Sequence, residues 1–105
     1  MIFVCTGNIC RSPMAEVVFR DLAERQGLGS RIVSRSAGTG DWHLGERADH
    51  RTLDALSRRG YDGSLHRARQ FTFASFAEND LVVALDRTHE RILREWARDE
   101  DEDGK

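Results

Sequence analysis

Ile2-Phe3-Val4-Cys5-Thr6-Gly7-Asn8-Ile9-Cys10-Arg11-Ser12-Pro13 changes character twice within a dozen residues, and the way it changes decides the fold. Ile2 to Val4 form a short apolar run of the kind that makes a buried strand. The Thr6-Gly7-Asn8 cluster ends that run. From Pro13 the period becomes helical: Ala15, Val18, Phe19 and Leu22 fall at i, i+3, i+4 and i+7, the stripe of an amphipathic helix. Ser12 is placed to cap that helix, with Pro13 as its first residue and Gly27 as its C-terminal stop. The opening is therefore strand, glycine-bearing loop, helix.

The alternation continues downstream. Arg31 to Ser36 is a second strand candidate, ending in the turn Ala37-Gly38-Thr39-Gly40 and the loop Asp41 to Gly45. Asp49 is placed to cap a helix through Arg59, with Thr52, Leu53 and Leu56 inward and Gly60 as terminator. A weakly patterned stretch holds Tyr61, His66 and Arg69. Leu81 to Leu85, LVVAL, gives the clearest buried-strand signal, and a helix over about Thr88 to Ala97 carries Ile92, Leu93 and Trp96 on one side. Strands alternating with helices imply right-handed crossovers and a parallel sheet with helices on both faces. Residues 1–97 read as one α/β domain and residues 98–105 as an acidic polar tail. In such sheets ligands bind beyond the carboxyl ends of the strands, where Cys5, the Ser36–Gly40 turn and Asp86 all fall.

Composition bounds the function. The 105 residues are 39% hydrophobic and 32% charged, with a net charge of -2, so nothing suggests attraction to nucleic acid or to an anionic membrane. No apolar run reaches the ~20 residues of a membrane span, and the N-terminus lacks the basic flank of a signal peptide. The expected setting is the cytoplasm, where two cysteines are thiols rather than a structural staple.

The opening loop is built to hold an oxyanion. A loop entering a helix leaves backbone N–H groups unpaired, and with the helix dipole these attract negative charge. Gly7 permits the tight backbone that a cradle needs. Arg11 offers a planar fork for two phosphate oxygens. Cys5 sits at the base, where the positive field favours thiolate over thiol. Five residues separate Cys5 from Arg11, enough to wrap a tetrahedral anion. A thiolate facing a phosphoryl group can attack phosphorus while Arg11 and the amides stabilise the equatorial oxygens.

FVCTGNICRSPMAE at Phe3–Glu16 resembles, nearly residue for residue, the phosphate-binding loop of the low-molecular-weight protein tyrosine phosphatases. Further echoes are SAGT at Ser36–Thr39, DWH at Asp41–His43, HRARQ at His66–Gln70 and LVVALDR at Leu81–Arg87. The resemblance spans about residues 1–97. It implies a flavodoxin-like sheet and hydrolysis of phosphotyrosine through a phosphocysteine, with no cofactor and no metal. In that reading Cys5 is the nucleophile and Arg11 the transition-state clamp. Ser12 donates a hydrogen bond to the sulfur, a role compatible with capping. Thr6, Gly7, Asn8, Ile9 and Cys10 form the rest of the loop. Asn8, in a network with Ser36 and His66, holds the loop in shape; His66 also reads as an ordinary half-buried histidine. Trp42 and His43 line the wall that admits an aryl phosphate, although Trp42 could equally pack on the surface. Cys10 is a redox partner for Cys5, or a small buried residue. Asp86 orients Arg87 or the loop and is not assigned to the chemistry. The expected partners are a tyrosine-phosphorylated protein or peptide and inorganic phosphate or other oxyanions, with the chain a monomer or weak dimer.

One departure from the pattern stands out. Family members continue to a further strand, an Asp-Pro segment whose aspartate protonates the leaving phenolate, and a final helix. The one proline here is Pro13, so no Asp-Pro occurs, no general acid is found, and the domain reads as C-terminally truncated. Three alternatives follow. Relatives that reduce arsenate use distal resolving cysteines, whereas Cys5 and Cys10 are the only cysteines here. Phosphoarginine phosphatases favour threonine where this chain has Ile9, whose apolar side chain suits an aromatic ring better. A fragment lacking its acid would bind phosphotyrosine or oxyanions with impaired catalysis.

Overall fold

The computed structural model describes the backbone of residues 1–40 and 43–103, and side chains as far as Arg98 within the last helix. The elements run β1 (Ile2–Cys5), α1 (Arg11–Arg25), β2 (Arg35–Gly38), α2 (His50–Arg58), α3 (Phe73–Glu78), β3 (Val82–Ala84) and α4 (Arg87–Asp103). The three strands form one sheet in the order β2-β1-β3, and both pairings are parallel. β1 lies at the centre, with Val4 opposite Ala37 on one side and Ala84 on the other. This is the α/β parallel sheet expected from the alternation.

Side chains alternate along β1, and that alternation builds two cores. Ile2 and Val4 join Ala37, Phe71 and Leu93 in a buried cluster under α3 and α4. Phe71, 2% exposed, is its centre: Phe76 meets it edge-on at 4.9 Å and Trp96 stacks on it at 6.2 Å. Phe3 points the other way and meets Phe19 of α1 at 5.8 Å. Helices therefore cover both faces of the sheet.

Glycines end α1 and α2 as their sequences suggest. Gly27 and Gly60 adopt φ of 74° and 84°. Beyond each, the chain turns back in the same manner: Leu28 N–H reaches Ala23 O and Tyr61 N–H reaches Leu56 O, both at 2.8 Å. Asp49 caps α2 by accepting from Arg51 N–H at 2.9 Å.

Several elements differ from the sequence reading. α1 starts at Arg11, with Cys10 in the capping position, so Ser12 lies inside the first turn and caps nothing. Leu22 is 47% exposed, and Ala23 takes the inward position at that end of α1. β2 is shorter than its candidate because β1 begins at Ile2, which pairs with Arg35, while Arg31 and Ile32 are held in a turn by the Leu28 carbonyl. β3 is half-buried rather than buried, and Leu81 is 54% exposed, since the strand pairs on one side only among the described residues. α3, anticipated by no pattern, forms within six residues behind a capping box between Thr72 and Ser75. α4 continues to Asp103, so most of the polar tail is helix. No helix among the described residues is long and apolar enough to cross a membrane.

Candidate active site

The loop from Cys5 to Arg11 leaves the carboxyl end of the central strand and is braced on two sides. From the turn that follows β2, Thr39 N–H donates to Cys5 O at 2.8 Å and Gly40 N–H to Thr6 O at 2.9 Å. From the 66–70 segment, Arg69 N–H donates to Asn8 Oδ1 at 2.9 Å, and His66 Nε2 lies 2.6 Å from Asn8 O. Asn8 is fully buried and holds a φ of 57°, a left-handed conformation that asparagine tolerates better than most residues.

Asn8 also fixes the chemistry at the sulfur. Its Oδ1 is occupied by Arg69 N–H, so its amide nitrogen points to Ser12, donating to Oγ at 2.8 Å. With that lone pair filled, the Ser12 hydroxyl is free to donate to Cys5 Sγ, 2.8 Å away. Asn8 N–H also donates to the sulfur, at 3.3 Å. Cys5 is 4% exposed and Ser12 is wholly buried, so both bonds act away from bulk water. A sulfur receiving two hydrogen bonds at a helix N-terminus is arranged to carry negative charge.

A cleft of about 290 Å³ opens above the sulfur, lined by the loop and by His43. The His43 ring lies so close over Gly7 that a Cβ there would sit 2.9 Å from His43 Cδ2. His43 Nδ1 is 2.6 Å from Glu46 Oε2, which fixes the ring's orientation. Cys10, at the cleft's rim, is exposed; both cysteines are free thiols. Arg11 reaches Asp86 Oδ2 at 3.2 Å, its side chain 59% exposed. Asp86 caps the start of α4: its Oδ1 accepts His89 N–H at 2.9 Å. That hydrogen bond, with help from Arg11, holds the Asp86 carboxyl below the usual carboxylate range against a smaller effect of burial.

The structure thus gathers Cys5, Thr6, Gly7, Asn8, Ile9, Cys10, Arg11, Ser12, His43 and His66 at one sheet edge, with Asp86 beside them. Ser36 does not join the Asn8–His66 network; it is buried and donates to Glu16 Oε1 at 2.5 Å, where Arg20 also pairs. Its place on β2 explains this, since it pairs with Phe3 two residues before the strand's end. Trp42 and Asp41 lie outside the described residues. His89 escaped the sequence reading altogether: it is 2% exposed and its Nε2 lies 2.7 Å from Thr6 Oγ1. Its sequence signals are an aspartate three residues earlier, directly after a strand candidate, and its place on the helical stripe of Ile92, Leu93 and Trp96.

Fold and site together define an α/β domain with a cysteine-based oxyanion cradle at the carboxyl edge of its sheet. The chain belongs to the low molecular weight phosphotyrosine protein phosphatase family, whose model it matches over residues 1–103. It is 59% identical over 95 residues to a low molecular weight protein-tyrosine-phosphatase of Streptomyces coelicolor, covering 90% of this chain and 57% of that one. The crystal structure of YfkJ from Bacillus subtilis superposes with a TM-score of 0.89 at 43% identity, covering 91% of this chain and 60% of that one. A Drosophila arginine phosphatase superposes with a TM-score of 0.87 at 31% identity, covering 93% and 61%. The chain thus spans somewhat over half the length of the relatives it matches.

Proposed function

We propose that this domain hydrolyses phosphotyrosine in proteins or peptides through a phosphocysteine on Cys5. The observation that carries the reading is the pair of hydrogen bonds from Ser12 Oγ and Asn8 N–H onto a buried sulfur at the base of the cleft. In the first step the sulfur attacks phosphorus, the S–P bond forms, the P–O bond to the ring breaks, and the phenolate takes a proton. In the second, water attacks the phosphocysteine, releasing inorganic phosphate and the sulfur anion, which Ser12 stabilises as leaving group. Arg11 leaves Asp86 to grip two phosphoryl oxygens as charge builds on them. The backbone N–H groups between Thr6 and Cys10, apart from that of Asn8, which stays on the sulfur, contribute to the same anion. His43 forms the wall against the ring, and His66 keeps Asn8 in place. Ser36 supports this loop only through β2. No cofactor or metal has a part in these steps. The domain acts in the cytoplasm as a monomer or weak dimer, and Cys10 is a redox partner for Cys5.

The proton for the departing phenolate is assigned to no residue of this chain. Activated aryl phosphates, whose phenolates leave unaided, should therefore be cleaved more readily than phosphotyrosine, by a margin of about 10²–10⁴. The likeness to an arginine phosphatase supports a second reading, removal of phosphate from arginine. Ile9 in the cleft lining favours an aromatic ring over a guanidinium. Turnover of a phosphotyrosine peptide, a phosphoarginine peptide and nitrophenyl phosphate, with Cys5→Ser as control, tests both. Cleavage of the phosphoarginine peptide alone would replace the first reading by the second; activity surviving Cys5→Ser would overturn both.

A further inference from the structure

We infer that His89 is a positioning residue for the oxyanion loop, holding Thr6 at one end while its neighbour Asp86 holds Arg11 at the other. His89 is 2% exposed, and its ring makes two polar approaches. Nε2 lies 2.7 Å from Thr6 Oγ1, across 83 residues of sequence. Nδ1 lies 2.9 Å from Asp86 Oδ1, which also accepts His89 N–H, but makes no well-aligned hydrogen bond to it. The other oxygen of the same carboxylate carries Arg11. Thr6 follows the cysteine directly and Arg11 closes the C-x5-R loop, so the series Thr6–His89–Asp86–Arg11 spans the loop from end to end.

The ring's proton can be placed. A bare Nδ1 lone pair 2.9 Å from a carboxylate oxygen would be repelled, so Nδ1 carries the hydrogen. In the neutral ring Nε2 is then an acceptor and the Thr6 hydroxyl donates to it. That commits the Thr6 hydroxyl inward, away from any anion in the cleft, and leaves Thr6 only its backbone to offer a phosphoryl group. The carboxylate lies against the imidazole, and the imidazole braces the loop. A histidine serving merely to fill the core would need neither contact, and both cost desolvation that an apolar residue would avoid.

The kinetic arm of the test rests on the phosphatase reading; the other two arms do not. First, the ¹⁵N chemical shifts of the His89 ring should show neutral imidazole protonated on Nδ1, with the Nε2 resonance moving in Thr6→Val. A ring protonated on Nε2 overturns the inference. Second, affinity for inorganic phosphate should fall in Thr6→Val and in His89→Ala, and the double variant should be no worse than either single one; additive losses overturn it. Third, kcat on nitrophenyl phosphate should fall about 10–100-fold in His89→Ala with KM changed far less, the usual range for partners that orient a reacting group. His89→Gln, whose amide can accept from Thr6, should recover most of that loss; a folded Gln variant as impaired as Ala counts against the role. If His89→Ala fails to fold, Thr6→Val, nearly isosteric, decides. A wild-type protein without turnover would defeat the phosphatase reading, while ring protonation and phosphate affinity would still judge His89.

Discussion

Gly38 of β2 and Thr6 of the loop approach so closely that a Cβ on Gly38 would stand 2.6 Å from the Thr6 carbonyl oxygen. The same Cβ would lie 3.1 Å from Asn8 N, whose N–H points at the sulfur. Both neighbours are backbone, so neither can swing aside. Gly38→Ala should therefore push the loop off β2, costing about 1–3 kcal/mol of stability as an overpacking change. Phosphate affinity should fall more steeply than the melting temperature, and calorimetry of binding beside thermal unfolding measures both. Unchanged phosphate binding in a folded variant would mean the loop has other room to move.

Arg11 is held by one carboxylate oxygen and is otherwise exposed, poised to turn toward an anion. Arg11→Lys keeps the charge and loses the fork. Turnover should fall by at least about a hundredfold, the scale of losing one transition-state donor, with the melting temperature nearly unchanged. Steady-state kinetics with thermal unfolding tests it, and rates within tenfold of wild type would remove Arg11 from its role.

Asp86 makes stability depend on pH with a definite sign. Its carboxyl is held below its ordinary range by His89 N–H and then by Arg11, so the folded state binds this proton less readily than the unfolded chain. The resulting stability is fully present above the unfolded value of about 3.9 and is lost as pH falls through the lower folded value. Asp86→Asn should be less stable than wild type by a constant margin above about pH 5, and that margin should close at more acid pH. Urea unfolding across pH measures the margin; one that persists unchanged into strong acid would assign it to something other than this charge.

Phe71 has nothing to do with phosphate yet fastens the segment that braces Asn8. Its N–H donates to Gly38 O at 2.7 Å, and its ring fills the space beneath Ile2, Val4 and Leu93. Phe71→Ala should cost about 3–5 kcal/mol by denaturant unfolding, the usual penalty for emptying a buried aromatic site.

Cys5 and Cys10 line the same cleft as free thiols, one buried and one exposed. Mild peroxide should oxidise the Cys5 sulfur to sulfenic acid with loss of hydroxide, after which the Cys10 thiol displaces the oxygen as water and closes a disulfide. Mass spectrometry should find that bond and its reversal by dithiothreitol. Sulfinic acid on Cys5 with no disulfide would deny Cys10 a protective role.

The loop was legible from sequence because its information is local: glycine, asparagine, arginine and serine stand at fixed offsets from one cysteine, between a strand and a helix. Asp49, Gly27 and Gly60 were legible for the same reason, each acting on residues within five positions. What failed was non-local. LVVAL reads as buried because nothing in five apolar residues says whether a strand has one partner or two. Ser12 reads as a cap because the pattern cannot reveal that the helix begins at Arg11 and that its hydroxyl is claimed by Asn8 and Cys5. Phe71 shows no periodicity, and although His89 falls on the stripe of Ile92, Leu93 and Trp96, its meeting with Thr6 follows only from how α4 settles on the sheet.

The span from Thr6 to His89 bears on how the protein is made. Cys5 is synthesised before Arg69, which fixes Asn8, and before His89, which fixes Thr6. At about 5–20 residues per second, some 4–17 s separate the two ends of this one contact. Throughout that interval the loop lacks at least one of the two braces that hold Asn8 and Thr6 in the folded protein. The contact that anchors Thr6 thus becomes available only once α4 has been made.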